Sequence, residues 1–361
     1  MTANIWAIPD HTKAKHVLLR VYLDRWFPIM AYALPANPRL VFVDGFAGPG
    51  IYLGGEPGSP IIALRTILDH RAFAQFRGEM VFIFFEKNPS AFSSLTEQVE
   101  SERVRRGDFP TNVRIMTENI EFSVGIQSIM TELAERKARL APTLAFVDPF
   151  GFSGIRLQDV ISLLDYPRCE LLFNFMADYV VRFRRHPNAI IREEISDFFG
   201  GDEFLQDFQD GKSSDNLASV FMANLRRLSQ FKYSRSFKMV NQRGKDNFLI
   251  FATQHPKGLE AIKDAMWKVD PTRGKRFSDI ENDPLFAGVP DFRGFVDGVV
   301  VRFQGQEVTI TQIEDFVLED TDFRSSDLRG QVLRPLERRG AISVNRPGRT
   351  GFPVGTTVRF L

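Results

Sequence analysis

The stretch Leu40-Val41-Phe42-Val43-Asp44-Gly45-Phe46-Ala47-Gly48-Pro49-Gly50 decides the fold class. Its four apolar residues, Leu40–Val43, are typical of a buried parallel strand that ends at Asp44. The three glycines that follow allow positive φ and a close approach of the backbone to a ligand. Their spacing is not the dinucleotide fingerprint, and no Gly-Lys-Ser or Gly-Lys-Thr follows to form a phosphate loop. The stretch predicts a strand that leads into a ligand-binding loop, with an empty tight turn as the alternative.

The same pattern, an apolar strand that ends at a polar residue and precedes a helix, recurs along the chain. The further predicted strands and their polar ends are Met80–Phe85 with Glu86, Val113–Met116 with Glu118 and Asn119, Leu144–Val147 with Asp148, and Glu170–Phe173 with Asn174. Strands that alternate with helices predict a doubly wound α/β sheet. Such sheets bind ligands beyond the carboxyl ends of their strands, where these polar residues are expected to cluster.

The second half of the chain completes this sheet. A mostly helical stretch, about 180–230, interrupts the alternation and is predicted as an insertion. Phe237–Val240 and Phe248–Thr253 flank a polar turn and predict an antiparallel hairpin. Five parallel strands closed by a late hairpin are typical of a Rossmann-like methyltransferase sheet. We predict this domain over residues 1–280.

From about residue 295 the pattern changes to short strands and helices around a turn rich in Arg, Gly and Pro, which predicts a winged-helix-like domain over 295–361. Leu328–Leu361 contains seven arginines and one acid, Glu337, a charge suited to phosphate contact. Alternatively, these arginines pair within the chain with the acidic segment Glu307–Asp327. A second basic group follows the fifth strand. The candidate nucleic-acid-binding residues are Arg182, Arg184, Arg185, Arg338, Arg339, Arg346 and Arg349.

Composition excludes several classes of protein. Among 361 residues, 46 Lys and Arg face 45 Asp and Glu, so any nucleic-acid surface must be local. The single cysteine, Cys169, excludes an internal disulfide framework and a Cys-based zinc site, and the five histidines show no metal-ligand spacing. Apolar runs fall far short of the roughly 20 residues of a membrane span, and the N-terminus lacks a signal-peptide pattern. We expect a cytoplasmic protein without metal or membrane.

The strand ends predict a site for S-adenosylmethionine. The loop residues Asp44, Gly45, Phe46, Ala47, Gly48 and Gly50 would hold its methionine part. Glu86 can accept both ribose hydroxyls, as carboxylates do at this place in dinucleotide-binding folds, with a solvated strand end as the alternative. Glu118 or Asn119 can hydrogen-bond the adenine amine, and a cap or turn explains these two residues equally well.

Asp148-Pro149-Phe150-Gly151 predicts the loop that holds the methyl acceptor. A carboxylate and a backbone carbonyl can accept hydrogen bonds from an exocyclic amine, which leaves the nitrogen lone pair free to face a methyl group. Pro149 would stiffen the loop, and Phe150 or Phe152 would stack on an unpaired or flipped base. Asp148, Pro149 and Phe150 are therefore the candidate catalytic residues, and a simple strand break by proline is the alternative.

These motifs carry a resemblance. Asp44–Tyr52, Gly58-Ser59-Pro60, Val147–Gly151 and Ala252–Leu259 resemble the three-Cys-motif partner proteins of bacteria and phages, over nearly the whole chain. The resemblance implies genomic pairing with a separate protein that carries three cysteines.

A more distant likeness is to methyltransferases of the exocyclic adenine amine, which share Asp-x-Phe-x-Gly-x-Gly. In this chain Phe150 replaces the second proline of their acceptor motif, and Gly151 replaces its aromatic residue. In such enzymes a segment before the glycine loop helps to close the cofactor site. That placement implies that Lys15 pairs with the cofactor carboxylate, although a solvated lysine is the more common outcome.

We therefore predict an S-adenosylmethionine-dependent methyltransferase that acts on a base of DNA or RNA, with the adenine amine favoured. The alternative is a non-catalytic accessory protein that binds nucleic acid and is the partner of a three-Cys-motif protein. Binding and transfer of a labelled methyl group distinguish the two.

Overall fold

The computed structural model describes residues 5–33, 38–183, 186–201, 213–280, 289–348 and 350–361. Its first half alternates helices and strands as predicted. The elements are α1 (Asp10–Ala33), β1 (Arg39–Asp44), α2 (Ser59–Leu68), β2 (Glu79–Phe85), α3 (Pro89–Arg106), β3 (Val113–Glu118), α4 (Phe122–Glu135), β4 (Thr143–Val147), α5 (Leu157–Leu164) and β5 (Glu170–Phe175), with a 3₁₀ turn at Arg71–Gln75.

The second half begins with helices and ends with short strands. The elements are α6 (Ala177–Phe183), α7 (Ala189–Phe199), α8 (Ser214–Leu228), β6 (Tyr233–Val240), β7 (Asp246–Thr253), α9 (Pro256–Val269), β8 (Arg276–Ser278), α10 (Arg293–Phe303), β9 (Glu307–Thr309), α11 (Ile310–Asp320), α12 (Ser325–Asp327), a π-helical segment Leu328–Leu333, α13 (Arg334–Arg338), β10 (Ile342–Asn345) and β11 (Thr357–Phe360). None of the helices within the described ranges combines the length and apolar composition that a bilayer crossing needs.

Eight strands form the central sheet in the order β3-β2-β1-β4-β5-β7-β6-β8. Strands β1 to β5 are parallel, and β7 runs antiparallel to both of its neighbours, β5 and β6. The sheet is therefore that of a Rossmann-like methyltransferase, and the predicted fold class is confirmed. The short strand β8, which pairs with β6, was not predicted.

Alternating side chains of the sheet pack into two separate cores. Phe42 of β1 belongs to the core under α1, α2 and α9, whereas its neighbour Val43 belongs to the core under α4, α5, α7 and α8. The stretch predicted as an insertion thus supplies part of the second core. Its Phe198 and Phe221 stack at 5.3 Å between ring centroids, against the end of β5. Burial on both faces explains why the strands read as continuous apolar runs.

The first helix is longer than the sequence indicates. Its pattern predicts a helix over Lys13–Trp26 that ends near Pro28, but α1 continues to Ala33 with Pro28 inside it. Proline inside a helix removes one hydrogen bond and crowds the preceding turn. Trp26, Phe27 and Met30 on either side of it are buried in the first core, and this packing keeps the helix continuous.

The last 70 residues build a three-stranded sheet, β10-β11-β9, with α10 to α13 around it. Their apolar side chains form a third core between Phe295 and Phe360. Because α12, the π-helical segment and α13 follow one another without a break, the order is helix, strand, helix, a second helical run and two strands. This is the order expected of a winged helix, and that assignment stays a prediction. Nζ of the buried Lys263 donates to the carbonyls of Val317 and Leu318, so an amino group of α9 holds the carboxyl end of α11.

One carboxyl group makes stability depend on pH. Glu170, at the start of β5, accepts hydrogen bonds of 2.6 Å from the hydroxyls of Tyr22 and Thr253. Burial raises the pKa of Glu170 from its ordinary value of 4.5 to about 7. Between these values the folded chain binds a proton that the unfolded chain does not, so stability is lost as pH rises through this window.

We expect Glu170→Gln to be more stable than the parent at pH 8, by about 1–3 kcal/mol, and to lose that advantage at pH 4, because glutamine cannot ionise. Urea unfolding of both proteins from pH 4 to 8 measures the difference. Glu79→Gln, at the partly exposed start of β2, is the control. Parallel pH profiles for Glu170→Gln and the parent would contradict the prediction.

Candidate functional site

The polar residues predicted at the strand ends meet at one edge of the sheet. The strands β2, β1, β4 and β5 are consecutive neighbours, and their carboxyl ends lead to Glu86, Asp44, Asp148 and Asn174. The edge includes the point between β1 and β4 where the strand order reverses, since β2 and β3 follow on one side of β1 and β4 and β5 on the other. Open α/β sheets bind their ligands at such a point.

The glycine loop after β1 has the backbone that the sequence predicted. Gly48 and Gly50 have φ of +63° and +76°, a conformation that other residues rarely adopt. A Cβ added to Gly48 would meet no protein atom within 4 Å, so the loop presents open space there. A Cβ on Gly45 would lie 2.5 Å from the Phe122 ring. Gly45 is therefore required by its packing against Phe122, and not by a ligand.

Glu86 connects the end of β2 to this loop. Its Oε2 accepts a hydrogen bond of 2.8 Å from the Gly48 N–H, and its Oε1 accepts one of 2.7 Å from the Asn88 N–H. The Asn119 amide donates to the carbonyls of Glu86 and Lys87 at 2.8 and 3.0 Å. Asn119 therefore holds the turn that carries Glu86. The adenine contact expected of Asn119 or of the exposed Glu118 stays a prediction.

Asp44 is fully buried at the mouth of the loop. Its Oδ1 accepts from the Phe46 N–H at 3.2 Å, and its Oδ2 has no hydrogen-bond partner in the described part of the chain. Burial raises the pKa of Asp44 to about 7, opposed by the Ser59 hydroxyl and the Phe46 N–H and aided by the nearby charges of Asp148 and Glu86. A buried oxygen without a partner favours a ligand that supplies a donor or a positive charge.

Asp148, after β4, is held from two sides. Lys15 of α1 donates to both of its carboxylate oxygens, at 2.7 and 2.5 Å, and Asn174 donates to Oδ1 at 2.7 Å. The side chains of Lys15 and Asp148 are only 9% and 19% exposed. The sequence predicted that Lys15 pairs with a cofactor carboxylate. The structure shows an ion pair with Asp148 in the chain itself.

Aromatic rings surround the acceptor loop. Phe150 is 75% exposed, and the Trp6 ring meets it edge to face with centroids 5.9 Å apart. Trp6 also contacts the Tyr52 ring at 6.4 Å, and its carbonyl accepts a hydrogen bond from the Leu53 N–H. Phe152 is buried in the second core, so Phe150 is the ring available for stacking. Nothing in the local sequence pattern indicated Trp6.

Two titratable groups near the ion pair are neutral at pH 7. Burial, and then the charge of Lys15, lowers the pKa of His16 to about 4. Burial raises the pKa of Tyr52, and the charges of Asp148 and Asp44 add to this effect. The His16 and Tyr52 rings lie 5.7 Å apart and form an uncharged wall beside Asp148.

The predicted basic residues divide into three groups: one is paired, three are exposed and three lie outside the described residues. Arg346 forms an ion pair with Glu337 of the same basic segment, and its guanidinium lies 5.3 Å from the centroid of the Phe352 ring. The pairing with the acidic segment considered above is shown by Arg329, which binds Glu314. Arg338 and Arg339 are exposed at the end of α13, and no described acid forms an ion pair with either. Arg182 is exposed on α6, whereas three candidates, Arg184, Arg185 and Arg349, lie outside the described residues.

No family model and no curated protein sequence matches the chain. Among solved structures it is similar to protein LPL1258 of Legionella pneumophila, family model DUF519, at 12% identity, covering 70% of this chain and 91% of that one, with a TM-score of 0.37. The O-methyltransferase TomG of Streptomyces achromogenes, solved with S-adenosylmethionine, is 15% identical, and the match covers 67% of this chain and 80% of that one with a TM-score of 0.34. Trm1 of Pyrococcus horikoshii, solved with S-adenosylmethionine, is 12% identical, and the match covers 69% of this chain and 58% of that one with a TM-score of 0.35. At these values the likenesses say nothing about activity, and the fold assignment rests on strand order.

Proposed function

We propose that the chain is an S-adenosylmethionine-dependent methyltransferase that acts on a nucleic-acid base, with the exocyclic amine of adenine favoured. The observation that carries the proposal is the shared edge of β1, β2 and β4. A glycine loop with open space, a carboxylate tied to that loop and a second carboxylate held by Lys15 and Asn174 meet there.

The edge fits the cofactor in charge and in shape. In the described part of this edge, the carboxyl groups of Asp44, Glu86 and Asp148 outnumber the one lysine, Lys15, and this balance favours a ligand with positive charges such as a sulfonium and an amino group. Glu86 stands where ribose hydroxyls are bound in related sheets. The open space at Gly48 suits the methionine part, which, when bound, carries an electrophilic methyl group on sulfur.

Asp148 is suited to orient an amine acceptor. Its carboxylate can accept an N–H of the amine, so that the nitrogen lone pair stays free, and Lys15 and Asn174 keep the carboxylate in place. Pro149 is buried and stiffens the loop. The exposed Phe150 ring offers a stacking surface for an unpaired base, which supports a nucleic-acid substrate. Catalysis would come mainly from this positioning.

Two further proposals accompany this one. Arg338 and Arg339, exposed without a described acidic partner, support a phosphate-binding surface on a winged-helix-like unit. The sequence motifs support membership of the three-Cys-motif partner proteins. The same arginines favour the second candidate function, an accessory protein that binds nucleic acid without catalysis. A purified chain that transfers a labelled methyl group from S-adenosylmethionine to DNA or RNA excludes that candidate.

Gly48→Val should abolish the binding of S-adenosylmethionine, because the new side chain fills the open space and strains a residue with φ of +63°. Titration calorimetry measures the affinity, and circular dichroism checks the fold. Gly107→Val is the matched control, since Gly107 has φ of +74° and equally open surroundings at the end of α3. An unchanged affinity in a folded Gly48→Val protein would remove the loop from the cofactor site.

Asp148→Ala should lower methyl transfer by about 10²-fold or more, the scale of losing one positioned catalytic group. Affinity for S-adenosylmethionine should stay within a few fold, because the glycine loop belongs to a different strand. Asp148→Asn, which keeps the contact with Lys15, guards against loss of folding, and the exposed Asp165→Ala is the control. Full activity in both Asp148 variants would place the chemistry elsewhere.

Replacing Arg338 and Arg339 together by glutamine should weaken nucleic-acid binding similarly for all sequences and reduce the salt slope by up to about two, roughly one per phosphate contact. Fluorescence anisotropy at several salt concentrations measures both effects. Arg103 and Arg105, which form ion pairs on α3, provide the double control. An identical slope in the Arg338/Arg339 variant and the parent would show that this surface does not touch phosphate.

A further inference from the structure

A cavity of about 330 Å³ lies beside the acceptor loop, between α1, α6 and the turn of the β6–β7 hairpin. Its lining includes His11, Met176, Tyr179 and Asp279. Met176 joins the cavity to the loop, because it follows β5 directly and its Sδ accepts a hydrogen bond of 3.1 Å from the Gly151 N–H. A ligand in this cavity therefore lies close to the acceptor loop.

An imidazole and a buried carboxylate form one wall of this cavity. Nδ1 of His11 lies 2.7 Å from Oδ2 of Asp279, whose side chain has no exposure to solvent. His11 is 20% exposed. A carboxylate accepts from the Nδ1–H of histidine, so Nε2 carries the ring's free lone pair. This geometry leaves Nε2 of His11 as the atom that can accept a proton.

The same face of α1 serves the cavity and the acceptor loop. His11 and Lys15 are four residues apart, so they lie one turn apart on one side of the helix. Lys15 holds Asp148, and His11 faces the cavity. Helix α1 thus positions two groups. Through Lys15 it holds the Asp148 carboxylate, which can orient an acceptor, and it carries the His11 imidazole, which can deprotonate that acceptor.

Another part of the cavity lining is basic. Arg182 of α6 and Arg243 of the hairpin turn line it, and neither forms an ion pair with a described acid. Lys245 is neutralised by Asp178, at 3.3 Å. Two guanidinium groups without an acidic partner among the described residues suit the phosphates of a nucleotide chain.

We propose that this cavity receives the acceptor nucleotide of a single-stranded nucleic acid, with Arg182 and Arg243 on its phosphates and His11, positioned by Asp279, as the proton acceptor. The proposal rests on the methyltransferase function proposed above. The acceptor nitrogen supplies the electron pair of its new bond to the methyl carbon, the sulfur keeps the pair of the bond that breaks, and the nitrogen's proton passes to Nε2 of His11 and then to water. Among the described residues, the charged groups that line the cavity with His11 are Asp279, Asp178, Arg182, Arg243 and Lys245, and Lys15 lies one turn further along α1.

The proton role is tested by His11→Gln, with Lys13→Gln on the exposed side of α1 as the control. We expect His11→Gln to lower the kcat of methyl transfer by about 10²-fold. The parent's loss of kcat at acidic pH, where an imidazole is protonated, should disappear in the variant. Affinity for S-adenosylmethionine, measured by calorimetry, should stay within about threefold. Equal kcat and an unchanged pH profile in His11→Gln would overturn the proton role.

The binding role is tested by a double variant, Arg182→Gln with Arg243→Gln, and a fluorescent single-stranded oligonucleotide of mixed sequence. We expect affinity to fall at least tenfold at low salt and the salt slope to decrease by about 1.4, roughly 0.7 for each phosphate contact of a single strand. Arg77→Gln, an exposed arginine far from the cavity, is the control. Parental affinity and slope in the double variant would overturn the binding role.

Imidazole ¹⁵N NMR gives a readout that does not depend on turnover. His11 of the parent should carry its proton on Nδ1, and Asp279→Asn should lose this preference while the other four histidines keep their signals. If the parent protein carries the His11 proton on Nε2, the proposed role of Asp279 in positioning His11 is overturned. A parent that binds no S-adenosylmethionine would instead overturn the proposed function, so the two failures are distinguishable.

Discussion

The ion pair between Lys15 and Asp148 is the contact on which the arrangement of the site depends. It joins the N-terminal helix to the end of β4, and Asn174 extends it to the end of β5. Both side chains are largely withdrawn from water, so removal of either partner would leave a poorly compensated charge. Because Glu86 and the ionised fraction of Asp44 bring further negative charge to this edge, Lys15 also limits the repulsion among the three carboxyl groups.

Helix α1 is fixed by more than this pair, and its position decides what reaches the sheet edge. Tyr22, Trp26 and Phe27 anchor it in the first core, and Tyr22 bonds to Glu170 at the opposite end of β5. The helix therefore crosses the sheet from the amino end of β5 to the carboxyl end of β4. Its first turn then brings His11 to the cavity beside the acceptor loop, and the preceding segment brings the Trp6 ring to Phe150 of that loop.

The parts of this structure that local pattern determines were predictable. Buried parallel strands are apolar on both faces, so β1 to β5 were recognisable as apolar runs, and parallel strands bring Asp44, Glu86 and Asp148 to one edge. The end of α1 was not predictable, because packing outweighed the cost of Pro28. Contacts between distant residues were also out of reach. Lys15 and Asp148 are 133 positions apart and His11 and Asp279 are 268 apart, and nothing local encodes such pairs.

Charge was the least predictive feature of the sequence, because a count of arginines does not tell which are already paired. Arg329 and Arg346 bind Glu314 and Glu337 within the C-terminal unit, which leaves fewer groups for a ligand than the sequence suggested. At the sheet edge, acidic and basic side chains occupy separate places. The glycine loop is surrounded by carboxylates, whereas the cavity beyond the acceptor loop has a basic wall. Under the proposed function, transfer of a methyl group removes the positive charge of a sulfonium on the acidic side. It also releases a proton into the cavity, where the imidazole of His11 stands beside the buried carboxylate of Asp279.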